Sequence, residues 1–183
     1  MLDKGLVVLP STACNPFQGF AKPSDSKDWL AAGKQLMLHQ EFEEARAAFN
    51  RAVDPHMAAV ATACHLRQVA YNTLGAQQRC RAFSNSAAEF ERCAMESEST
   101  EERYDLYAAA AGCYAQAQDH QKAVRFLVLA QKFTVAALHC LSNGLLDRAV
   151  TIIRKYSTRV DQETIERTQQ EARFKYLQEK RVE

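Results

Sequence analysis

Two dipeptides in this chain bring a thiol and an imidazole together, Cys64-His65 and His139-Cys140. Thiolate and imidazole are the ligands zinc prefers. Neighbouring positions on a helix point about 100° apart, so neither pair can hold one ion alone. A site would need the two pairs to converge, and no CxxC spacing supports that. The six cysteines, Cys14, Cys64, Cys80, Cys93, Cys113 and Cys140, are widely spread. A nucleophilic cysteine needs a base beside an activated thiolate, at a helix N-terminus or in a cleft. These fall mostly mid-helix among alanines and read as core packing in a reducing compartment. The carboxylates Glu41, Glu43 and Glu44, and Glu96, Glu98, Glu101 and Glu102, stand where helices begin. They read as partners of the helix dipole rather than as acid–base pairs. No metal, cofactor or catalytic residue is expected, and the chain reads as a non-enzyme.

Binding chemistry is sparse as well. With 23 Lys+Arg against 22 Asp+Glu the net charge is +1, which argues against a dedicated nucleic-acid or polybasic membrane surface. The best basic patches are Arg79-Cys80-Arg81 and Arg154-Lys155 through Arg159. Arg167, Arg173, Lys175, Lys180 and Arg181 are interleaved with glutamates and read as a solvated face. Nucleic acid is not an expected partner for this segment alone. Asn15-Pro16-Phe17 matches the tripeptide that EH domains bind, in a proline-bracketed stretch. Phe17 docking onto the first helix is the alternative. The apolar run Leu6-Val7-Val8-Leu9 is too short for a signal peptide or membrane span. An intracellular location, cytoplasmic or nuclear, is expected.

The elements that must position these groups are helices. The chain has 183 residues, 47% hydrophobic and 25% charged, with thirty alanines, six glycines and four prolines, none after Pro55. Residues 1–25, which hold three of the four prolines, are expected to form an extended arm or irregular lead-in. Helical spacing starts at Lys27, with Trp29, Leu30, Gly33, Leu36 and Met37 on one face. It resumes after a turn with Phe42, Ala45, Ala48, Phe49, Ala52 and Val53. Asp54-Pro55 caps a helix expected from about His56 to Gln77, carrying Val60, Cys64, Leu66, Val69, Tyr71 and Leu74. Another is expected from about Arg79 to Met95. Ser99 or Thr100 caps the next, a turn follows at Gln118-Asp119, and Ser142-Asn143-Gly144 ends a short helix. Asp161 starts a charged final helix with a thin stripe of Ile165, Ala172, Tyr176 and Leu177.

Paired helices suggest a repeat. Trp29, Gly33, Ala45, Phe49 and Ala52 define a first unit, and Tyr107, Ala111, Tyr114, Ala123, Leu127 and Ala130 echo it. The second unit keeps Tyr71, Gly75, Ala87 and Ala94 but has Glu91 where a large apolar residue belongs. A fourth is Phe133, Ala137, Gly144, Ala149 and Ile153. The anchors Ala45, Ala87, Ala123 and Ala149 stand 42, 36 and 26 residues apart rather than at one interval.

The stretch from Trp29-Leu30-Ala31-Ala32-Gly33 through Phe42-Glu43-Glu44-Ala45 to Phe49 and Ala52 resembles the tetratricopeptide family. The resemblance implies an all-α, irregular tetratricopeptide-like α-solenoid of about four helix pairs over residues 26–160, capped by the helix of residues 161–183. Adding His65 to Ala70, Cys113-Tyr114 and Lys122-Ala123, residues 27–156 also resemble the helical repeats that accompany UvrD-like helicase domains in large fungal tetratricopeptide-and-ankyrin-containing proteins. No phosphate-binding GxxxxGK[ST] loop exists, and Gly33-Lys34 lies inside a helix. The resemblance implies a non-catalytic protein-interaction scaffold, with an accessory domain of a nucleic-acid-dependent ATPase as the alternative. It places Lys27, Leu30, Lys34, Met37, Asn72 and Arg79 on a concave wall that receives a peptide or helix. Leu30 and Met37 would form pockets, and Lys34 and Arg79 would anchor acidic groups. Leu30 and Gly112 stand where the family's carboxylate clamp wants Lys and polar residues, so binding of chaperone tails is not expected.

Overall fold

The computed structural model describes residues 25–182, and Asn15-Pro16-Phe17 lies outside them. The described residues are all-helical. The helices are α1 Ser26–Leu38, α2 Phe42–Arg51, α3 Pro55–Asn72, α4 Ala76–Glu96, α5 Thr100–Gln116, α6 His120–Leu129, α7 Phe133–Ser142, α8 Leu146–Tyr156 and α9 Gln162–Val182, with a single 3-10 turn at Ser157–Arg159. Each helix packs on the one before and the one after it, and α9 reaches back to α7 as well as α8. The core accordingly falls into three successive clusters. Phe49 and Leu36 centre the first, Phe83, Phe90 and Phe126 the second, and Phe133, Cys140 and Ile152 the third.

Five of the turns share one geometry. Gln40, Val53, Gln118, Gln131 and Gly144 all have left-handed backbone, with φ between 58° and 70°. At each, the N–H of the left-handed residue bonds the carbonyl three residues back, and the next N–H bonds the carbonyl five back. In the first turn these are Gln40 to Met37 (3.1 Å) and Glu41 to Leu36 (2.9 Å). This double bond satisfies carbonyls that the helix end would otherwise leave open. The residue that completes it is also the N-cap of the next helix: Glu41, Asp54, Asp119, Lys132 and Leu145. Gln118, Gln131 and Gly144 stand 13 residues apart, as do Gln40 and Val53.

Buried alanines keep the same step. Ala123, Ala136 and Ala149 lie four residues after their N-caps and are fully buried, as is Ala45 in α2. The interval of 26 between Ala123 and Ala149 is therefore two steps of 13. A residue with no side chain beyond Cβ lets the next helix approach closely at the same point of each turn. At the first pair the approach is closer still: a Cβ on Gly33 would meet the Phe49 ring at 2.6 Å.

The middle helices depart from what the spacing predicts. α3 ends at Asn72 rather than near Gln77, because Thr73 turns extended (ψ 123°) and Gly75 becomes the N-cap of α4. Leu74 is consequently 97% exposed, and Val69 and Tyr71 are exposed too. The buried face of α3 is built from Ala58, Ala61, Ala63, Cys64 and Ala70 instead. No residue from 71 to 79 is buried, so the α3–α4 hairpin ends in an uncovered tip. Glu91 stands in an apolar register because its carboxylate accepts a hydrogen bond from Tyr114 Oη at 3.2 Å. Burial, then the Glu91 charge, push that phenol up to about 12.

Asp161 caps α9 through the N–H and hydroxyl of Thr164 at 2.8 and 2.9 Å. Thr164 and Thr168 are buried, whereas Phe174, Tyr176 and Leu177 farther along are exposed. The apolar stripe read from the sequence thus packs at Ile165 and opens to solvent at its far end.

Candidate functional site

One face of α3 carries Met57, Val60, Cys64, Arg67 and Tyr71, spaced three, four, three and four residues apart, so they form one row along the helix. That row borders two cavities. The first, about 470 Å³, lies against α5 and is lined by Met57, Val60, Cys64 and Arg67, with Phe90, Leu106 and Ala109 opposite and Glu101, Glu102 and Asp105 at its edge. The second, about 550 Å³, lies toward α1 and α2 and is lined by Met37, Leu38, Gln40, Phe42, Cys64, Arg67, Gln68 and Tyr71. Cys64 and Arg67 line both cavities. The two cavities share these two residues and are taken together as one groove along α3.

Arg67 is the electrostatic centre of the groove. It is half-buried, its guanidinium lies 5.3 Å from the centre of the Phe90 ring, and among the described residues it has no ion-pair partner. The aromatic face holds the cation without neutralising it. At the α5 edge the acidic groups differ. Glu102 accepts from Ser97 Oγ at 2.6 Å and meets His56 Nε2 at 3.1 Å. The Ser97 hydroxyl, and after it His56, hold the Glu102 carboxyl below its usual range. Glu101 and Asp105 are exposed and unpaired among the described residues. The groove therefore has an uncommitted cation at its crossing and uncommitted carboxylates at one edge.

The thiol in its floor is held in its protonated form. Burial raises the Cys64 pKa, and Arg67 offsets only part of that. Cys113 is also raised by burial, against the contact its sulfur makes with Ser86 Oγ at 3.6 Å. Cys93 and Cys140 are pushed up to about 11 by burial. Thiols so placed stay protonated at neutral pH and act as small apolar residues.

The two thiol–imidazole dipeptides do not meet. Cys64 and Cys140 belong to different core clusters. His65 faces Glu43 at 3.8 Å, whereas His139 Nε2 faces His120 Nδ1 at 3.2 Å. Among the described residues no group of three or more potential ligands converges. Of the residues projected onto a binding wall, Met37 lines the groove with Arg67. Leu30 packs against the first core cluster, and Lys27 and Lys34 are exposed on α1. Asn72 and Arg79 are exposed at the α3–α4 tip. In the other basic patch, Lys155 and Arg159 lie over the Tyr156 and Phe133 rings at 5.2 and 4.8 Å. On α9, Arg167 pairs with Glu171 and Lys175 with Asp147.

Arg67 is the residue that sequence reasoning missed. Its signal is its place in the Met57, Val60, Cys64, Tyr71 row, where a cation interrupts an otherwise apolar and aromatic stripe. Among the described residues no helix is long and apolar enough to cross a membrane. No family model, curated protein or solved structure matches this chain.

Proposed function

We propose that this chain is a non-catalytic protein-interaction scaffold, a tetratricopeptide-like α-solenoid pairing α1 with α2, α3 with α4, α5 with α6 and α7 with α8. It receives a peptide or helix of a partner protein in the groove along α3. The observation that carries the reading is an apolar groove crossed by a cation that no described residue neutralises. Grooves of a few hundred cubic ångströms, mostly apolar with few polar groups, are what ligand recognition uses. The order of the helices supports it as well. Most of its lining comes from α1, α3 and α5, the alternate helices of a paired array, with Phe42 of α2 and Phe90 of α4 beside them. The buried, protonated thiols and the dispersed histidines favour binding over chemistry.

A photo-crosslinking amino acid tests this. Placed at Met57 or Gln68 in the groove, it is expected to capture defined partner polypeptides in cells. Placed at Arg46 on α2 or Arg125 on α6, both exposed, it is expected to capture few or none. Equal capture from all four positions, or none from the groove, overturns the reading.

A further inference from the structure

We infer that the partner segment carries an internal acidic side chain flanked on both sides by large apolar residues, with the acid seated on Arg67. This rests on the groove reading above and specifies its ligand. Three features lead to it. The Arg67 guanidinium is half-buried against Phe90 and has no carboxylate partner among the described residues. Charge complementarity therefore asks for an anion there, and a fork of five donors suits a carboxylate. Second, large apolar side chains stand to either side of the arginine, Met57, Val60 and Leu106 on one side and Met37, Phe42 and Tyr71, with Gln40 and Gln68 among them, on the other. A ligand that fills both cavities must pass over Arg67, so the acid comes from the interior of its chain and not from a C-terminal carboxylate. Third, the row from Met57 to Tyr71 spans fourteen residue steps, about 21 Å at a helix's rise. Some six or seven extended residues span that length. The exposed Glu101 and Asp105 at the α5 edge set the polarity: a lysine or arginine of the ligand lies at that end. Cys64 forms the floor beneath the acid, and burial keeps it protonated and uncharged there.

Display of random dodecapeptides fused through their C-termini tests the inference, because any carboxylate selected by position is then a side chain. Three baits are compared: the unaltered chain, Arg67→Glu and Met57→Arg, each shown to be helical by circular dichroism. The unaltered chain is expected to enrich peptides with Asp or Glu between large apolar residues. Arg67→Glu is expected to exchange that acid for Lys or Arg, and Met57→Arg to lose the pool. A synthetic peptide of the most enriched sequence is expected to bind Arg67→Gln about ten- to a hundredfold more weakly, the range for a partly desolvated charge-assisted pair. Arg67→Gln, which removes the charge without reversing it and keeps an unbranched polar side chain, carries the test if Arg67→Glu does not fold. Enrichment that is lost in Met57→Arg but shows no acid preference overturns this inference and leaves the groove reading standing. A pool that ignores both substitutions, or no enrichment, overturns both.

Discussion

Two regions of this molecule solve helix packing differently. In α6, α7 and α8 the helices have ten, ten and eleven residues, Ala123, Ala136 and Ala149 are fully buried, and the turns before α6, α7 and α8 have the same left-handed geometry. In α3, α4 and α5 the helices have 18, 21 and 17 residues, and the links at Thr73–Gly75 and Ser97–Ser99 are extended. Equal lengths with equal turns place each helix flush with its neighbours. Unequal lengths leave faces uncovered, and there the chain places an arginine on a phenylalanine ring, exposed carboxylates and an uncovered hairpin tip. Regularity closes the packing in one region, and departure from it leaves the surface open in the other, where the proposed groove lies.

The largest way to break the comparison is to enlarge the regular alanine. Ala136→Leu forces three extra carbons, branched at Cγ, between packed helices and is expected to cost about 1–3 kcal/mol in chemical denaturation. Leu74→Ser, at the tip of the irregular region, is expected to change stability by less than about 0.5 kcal/mol, because nothing covers it. Similar losses from both would show that the tip is as tightly determined as the α6–α8 interface.

The turns give a smaller effect of opposite sign. Val53 is a β-branched residue at φ 60° with 84% of its surface exposed. A branched Cβ is strained in that conformation, and glycine is not. Val53→Gly is expected to raise stability by about 1 kcal/mol, net of glycine's greater freedom when unfolded. If it destabilises instead, the turn geometry is held by the valine side chain rather than in spite of it.

The smallest effect sharpens the comparison within the short helices. His139 is held below its usual pKa of 6.5 by burial and then by His120, whose ring nitrogen stands 3.2 Å away. The unfolded chain takes up the proton near pH 6.5 while the folded chain resists it. That contribution therefore favours folding above this pH and is lost as pH falls below it. The drop in Tm between pH 7.5 and 5.5 is expected to shrink in His139→Gln. An unchanged drop would mean that the pair does not couple α6 to α7 through its charge.

Much of the fold was legible, and what was not has physical causes. Trp29, Gly33, Ala45 and Phe49 announce the first helix pair because a bulky residue needs a small one opposite. Asp54-Pro55 and Ser142-Asn143-Gly144 announce boundaries through their own backbone preferences. The turns at Gln40 and Gln118 show as breaks in the helical spacing, but their left-handed backbone does not, and Gln131 and Val53 give no turn signal, Val53 reading as one more apolar residue of the second helix; none of these residue types favours left-handed backbone. The 13-residue step stayed hidden with them, and Ala136 went unrecognised among thirty alanines. The stop of α3 at Asn72 was missed because Val69, Tyr71 and Leu74 look like a core stripe, although small residues elsewhere on the helix already supply the close contact. Met37, which the sequence projects onto a binding wall, borders the cavity beside Arg67. Arg67 was not singled out, because an arginine in a helix is read as solvated until its neighbours in the row are seen to line a cavity.

The turns have one more consequence, for chain length. In five of them the residue that closes one helix also opens the next, so no residue serves as a mere spacer. Loops are ordinarily where a protein absorbs insertions and deletions. Here one residue added between Gln118 and Leu145 finds no slack. It must be taken up by turning the following helix by about 100°, which swings its alanine out of contact. At Thr73–Gly75 an added residue would merely lengthen the exposed tip. Length in this chain is fixed in its turns and negotiable at the end of its longest hairpin.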